Sequence, residues 1–170
     1  MRWLLTLLIA LLGTSPAQAA SAPPEFYGVI AANDPESSEV ARMGAGGVGT
    51  LRFNLVWGTV QPGPRARIDW THYDQLIGDA ARAGIRVLPT VYSSPPWAAA
   101  RNYYPPARRT WRRFARFVRS AASRYGYGGI FWTEHPEIPR LPVRVWQFWN
   151  EPNLQGFWRP NLSPKSYVRV

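Results

Sequence analysis

The chain has 170 residues, 46% hydrophobic and 14% aromatic, which suits one domain with a packed core and excludes wholesale disorder. Its formal net charge is +10, from 20 basic and 10 acidic side chains, and Lys165 is the only lysine. Cysteine is absent, which excludes a disulfide framework and thiolate chemistry.

The chain opens with Arg2 and an apolar run from Trp3 to Leu12. That run is too short to span a bilayer, which takes ~20 residues. Ala17-Gln18-Ala19 then has the small-x-small form of a cleavage site. Residues 1–19 therefore read as a secretory signal peptide cut after Ala19, so the mature chain is expected to be secreted, with no membrane partner. Residues 20–25 read as a linker, and 26–170 as the folded domain.

The first strand is expected over residues 26–32. Asp34 is placed to cap a helix with Pro35 at its first position, and that helix ends in the glycines at 44–47. A second strand over 49–56 leads into Trp57 and the turn-rich residues 61–64. Asp69 caps a second helix, in which Tyr73, Leu76, Ile77, Ala80 and Ala81 recur at helical spacing and Gly84 is the stop. A third strand spans 85–91, followed by a loop with Ser93, Ser94 and Trp97. Thr110 caps a third helix, with Phe114, Phe117, Val118 and Ala121 on one face. Glu134, His135 and Glu137 lie in the next loop.

The fourth strand opens at Val143 with alternating β-branched and aromatic residues and closes on Trp149-Asn150-Glu151-Pro152. A carboxylate at the end of an apolar strand is costly to bury without a purpose, which marks Glu151 as the main functional candidate. Aromatic neighbours such as Phe148 and Trp149 are expected to wall it and disfavour its charged form. A fourth helix starts at Ser163-Pro164.

Strand alternates with helix throughout, which implies α/β class and a parallel sheet. A doubly wound sheet and a (β/α)8 barrel both fit. No glycine-rich phosphate loop follows the first strand, and polar residues follow several strands, which favours the barrel.

Trp149-Asn150-Glu151-Pro152-Asn153 resembles the fourth-strand signature of the clan A retaining glycoside hydrolases. Leu51 to Trp57 is similar to their second strand with its inward arginine. Residues 68–88 are similar to their second helix and third strand, and Ser94-Pro95-Pro96-Trp97-Ala98 resembles the following loop in family 39 members. The resemblance implies an α/β (β/α)8 TIM barrel, with about the first four β/α units present. It implies a carbohydrate substrate, Glu151 as acid/base, Asn150 on the sugar 2-hydroxyl and Arg52 beside the nucleophile. Trp57, Trp97 and Trp149 are implied near the sugar subsites; the residue-level alternative for each tryptophan is core packing.

A retaining pair needs two carboxyls about 5–5.5 Å apart. The other nine acids all have positions that disqualify them, with Asp34 assigned to capping, so no nucleophile is expected in this chain. A complete barrel takes ~250 residues, and the expectation is an N-terminal half that is inactive alone. A non-catalytic carbohydrate-binding barrel is the alternative.

The positive charge also raises a nucleic-acid reading. Most arginines are scattered, and Arg108, Arg109, Arg112, Arg113, Arg116 and Arg119 have the spacing of a solvated helix face, so no nucleic-acid partner is expected. His72 and His135 are the only histidines and are far apart in sequence, so no metal and no cofactor are expected.

Overall fold

The computed structural model describes residues 22–31, 33–159 and 162–170. The signal-peptide expectation for residues 1–19 lies outside these. The elements in order are β1 (Gly28–Ile30), α1 (Ser37–Ala45), β2 (Thr50–Val56), α2 (Trp57–Val60), α3 (Thr71–Arg82), β3 (Arg86–Tyr92), α4 (Trp111–Tyr125), α5 (Ile130–Glu134), β4 (Gln147–Phe148) and α6 (Pro164–Tyr167). The four strands form one parallel sheet in the order β1-β2-β3-β4, so the class is α/β as expected.

Alternation along β2 creates two unlike faces, because successive side chains point to opposite sides of a strand. Leu51, Phe53 and Leu55 are buried in the core with Val40 of α1, Leu76 and Ile77 of α3 and Phe117 of α4. Phe53 stacks on Tyr73 with centroids 5.7 Å apart, and Trp57 stacks on Phe117 at 5.7 Å. The opposite face carries Arg52 and Asn54. Register places Asn54, Thr90 and Gln147 in one row across β2, β3 and β4. Asn54 is exposed there, and Arg52, Leu88 and Gln147 are half-buried.

Several local expectations needed correction. Asp34 does not cap α1. Glu36 does so in a capping box with Glu39, whose carboxylate accepts from the Glu36 amide at 2.9 Å. Asp34 instead pairs with His72 at 2.7 Å, a long-range partner that outcompetes the local cap. Thr110 is the N-cap residue of α4 as expected, but its side chain makes no capping bond. Its hydroxyl is directed back to the carbonyls of Ala107, at 2.7 Å, and Ala98, at 3.2 Å. Residues 130–134, expected as loop, form α5.

The fourth strand is much shorter than its sequence pattern. Only Gln147 and Phe148 pair with β3, because the Val143 amide is bonded to the Tyr125 carbonyl at 2.9 Å and Trp149 turns left-handed. Asp69 is not the N-cap of α3, which is Trp70; it lies one residue earlier and accepts from the Thr71 amide at 3.0 Å and hydroxyl at 2.7 Å. Ser163 caps α6 by accepting from the Ser166 amide.

Candidate active site

Arg52, in the first half of β2, meets residues in β4 and just past its carboxyl end that are far away in sequence. Arg52 on β2 donates through Nε to Gln147 Oε1 at 3.0 Å and through Nη2 to Asn150 Oδ1 at 3.0 Å. Asn150 Nδ2 in turn donates to Glu151 Oε2 at 3.3 Å. A guanidinium, an amide and a carboxylate thus form one hydrogen-bonded series. Gln147 adds a brace, since its Nε2 donates to the Trp149 carbonyl at 3.0 Å.

The backbone of this end is held in sparsely populated conformations. Among the described residues the non-glycine residues with positive φ are Ser93 (67°), Trp149 (64°) and Glu151 (44°), all just beyond β3 or β4. Each such conformation costs about 1–3 kcal/mol and persists only where surrounding contacts over-determine it. Those contacts are present around Trp149. Its amide donates to the Val91 carbonyl at 2.9 Å, its indole Nε1 donates to the Phe157 carbonyl at 2.9 Å, and its ring meets Tyr92 edge-on at 5.5 Å. The left-handed turn at Trp149 lets its ring enter the core while Asn150 and Glu151 emerge at the sheet end.

Glu151 is exposed, so the expected aromatic wall does not surround it. Trp149 is 2% exposed and faces away into the core. Glu151 does make itself felt at Tyr92, whose phenol is held above its ordinary range by burial first and then by the charges of Glu151 and Tyr103.

The tryptophans expected near sugar subsites are placed otherwise. Trp57 is 0% exposed and packs between Trp97 and Phe117, so it offers no face to a ligand. Burial likewise removes Trp149 as a stacking platform. Trp97 is half-buried, with its edge against Trp57 and the Arg113 guanidinium 5.7 Å from its ring centroid. Of the six residues singled out, Arg52, Asn150 and Glu151 form one hydrogen-bonded group. Gln147 and Tyr92 belong beside them and were missed. Neither had a sequence signal of its own, since Gln147 shares strand parity with the core-facing Trp149 and the alignment of Tyr92 with Val56 is a matter of register.

The remaining acids are engaged elsewhere or lie apart. Asp74 receives a bidentate pair from Arg124 at 2.6 Å and a hydrogen bond from Tyr125 at 2.8 Å, and Glu134 lies 3.0 Å from the same guanidinium. Asp79 pairs with Arg82, and Glu137 with His135. Glu25 lines the Thr50 and Arg86 end of the sheet, opposite to Glu151.

No protein-family model matches the chain, and no curated protein does. Among solved structures, a family 39 glycoside hydrolase from the gut symbiont Bacteroides cellulosilyticus WH2 superposes with a TM-score of 0.54 at 23% identity. The chain shares a fold with a glycoside hydrolase. The match covers 77% of this chain and 25% of that protein, and at this identity it concerns the fold alone.

Proposed function

We propose that the chain carries the acid/base half of a secreted retaining glycosidase built on a (β/α)8 barrel. The hydrogen-bonded series Arg52–Asn150–Glu151, in which Arg52 reaches from within β2 to two residues just past the carboxyl end of β4, carries this reading. Glu151 protonates the departing glycosidic oxygen and then takes a proton from the attacking water. Asn150, held by Arg52, is oriented toward the sugar hydroxyl beside the reacting carbon. A general acid in this role contributes ~10²–10⁴-fold to the rate. The second carboxyl must come from outside these 170 residues, since the other nine acids are engaged elsewhere or lie apart from Glu151. The parallel sheet and its glycoside hydrolase neighbour support the fold part of the proposal.

The test is made in an active enzyme that contains this chain. Glu151→Gln lowers turnover of aryl glycosides by ~10²–10⁴-fold, and azide restores it on substrates with good leaving groups. An unchanged rate removes Glu151 from the role. Export is tested by sequencing the mature protein, which is expected to begin at Ala20.

One observation favours a second reading, a carbohydrate-binding barrel without catalysis. No second carboxyl accompanies Glu151 among the described residues. Sugar binding without turnover in every longer form of the protein would select it.

A further inference from the structure

A groove of about 490 Å³ lies between the turn after α2 and the first half of α4. Its lining includes Arg65, Arg113, Arg116, Gln61 and Ser120 over Phe117, with no carboxylate. Arg113 and Arg116 are three apart on α4, so they share a helix face. Arg113 is held in place: it donates to the Pro64 carbonyl, and its guanidinium lies over Trp97. Arg65 and Arg116 are exposed and have no ion-pair partner among the described residues. This contrasts with Arg124, which is locked to Asp74 and Glu134. Three arginines thus line one groove whose lining holds no carboxylate, which favours an anion there. Planar guanidinium forks suit carboxylate and sulfate oxygens, and Gln61 and Ser120 add neutral polar groups.

The groove lies toward the same end of the sheet as Glu151. Gln61 follows directly on α2 at the carboxyl end of β2, and its carbonyl accepts from Trp97 Nε1 at 3.4 Å in the loop after β3. We infer that this groove binds the acidic groups of a polyanionic glycan, a site separate from the Arg52–Asn150–Glu151 group. The choice of a glycan over other polyanions rests on the glycosidase reading above. The groove's capacity for anions does not.

Binding to the full 170-residue chain is measured with an oligogalacturonate (carboxylate groups), dextran sulfate (sulfate groups), neutral dextran and a single-stranded oligonucleotide. At least one acidic glycan is expected to bind and neutral dextran is not. The double variant Arg65→Gln/Arg116→Gln weakens that binding about tenfold or more and lowers the salt slope by about two. Arg42→Gln/Arg144→Gln removes the same charge from exposed positions elsewhere and leaves binding within about twofold. Circular dichroism checks that both doubles fold. Equal losses in the two doubles reduce the effect to net charge and overturn the site. Failure of both acidic glycans to bind overturns it too, and so does tighter binding of the oligonucleotide. Glu151→Gln leaves this binding unchanged, so failure of the glycosidase reading and failure of the groove are read separately.

Discussion

Tyr73 shows how much one side chain holds at the residue scale. It is 1% exposed and closes the end of β2, accepting from the Val56 amide at 2.8 Å and donating to the Asn54 carbonyl at 2.9 Å. Burial above all pushes its phenol up to about 12, and the Tyr125 phenol is raised as well, by burial and the Asp74 charge. Both are neutral in the fold at pH values where free phenols ionise, near 10. The folded state then holds more protons than the unfolded state, so stability falls as pH rises. The contribution is complete below about 10 and is lost as pH climbs toward 12. Urea unfolding at stepwise pH from 9 upward is expected to show this decline. Tyr73→Phe should flatten it and cost about 1–3 kcal/mol at neutral pH, because the Val56 amide and Asn54 carbonyl lose their partner. An undiminished alkaline slope would assign the effect to other groups.

At the scale of elements, the pattern of apolar residues found α3 and α4 and located β2 and β3 to within a residue at each end. It failed at the fourth strand. The alternation from Val143 onward is real, but Val145 is 62% exposed and the lead-in segment is tied to the end of α4 rather than to β3. A periodic pattern states which face a strand would bury, not whether a neighbour is available to pair with it. Packing between elements is tight where α1 meets the end of α3. A Cβ at Gly44 would lie 2.7 Å from the Ala83 carbonyl oxygen and 2.9 Å from its Cβ. Gly44→Val should therefore push α1 off α3 and lower stability by about 1–3 kcal/mol in urea unfolding. Gly63→Ala meets the Ala66 methyl at 3.6 Å and its backbone nitrogen at 3.9 Å, ordinary contact distances, and should be near neutral in the same measurement.

Among the described residues the sheet is open, with β1 and β4 at its edges. Ile30 on β1 is 68% exposed and Phe148 on β4 is 41% exposed. An apolar open edge is a template for pairing with further chain. Beside β4, an apolar groove of about 470 Å³ is lined by Phe114, Val118, Phe148, Trp158 and Tyr167. The 170-residue chain alone is therefore expected to self-associate at micromolar concentration, as light scattering would register. It is also expected to give no turnover of aryl glycosides. Measurable turnover by the chain alone would refute the need for a second carboxyl from elsewhere. Among the described residues no helix is long and apolar enough to cross a membrane.

Strand–helix alternation, the α/β class and the candidacy of Glu151 are legible in the residues themselves, whereas Arg52 and Asn150 were implied by the family resemblance. The first three follow from local period, turn residues and a short motif, all legible within a few neighbouring positions. Which groups meet is set by the fold. Asp34 finds His72 38 positions away, and Arg52 reaches Asn150 across 98. Trp57 and Trp149 look alike in sequence to a sugar platform and to a core filler, and burial made both of them core. Exposure decided the surroundings of Glu151 in the same way. Trp149 is buried in the core and Glu151 is exposed, with both backbones left-handed, so the aromatic residues beside Glu151 in sequence do not enclose it. Partner choice depends on where distant segments cross, and no local pattern encodes that crossing.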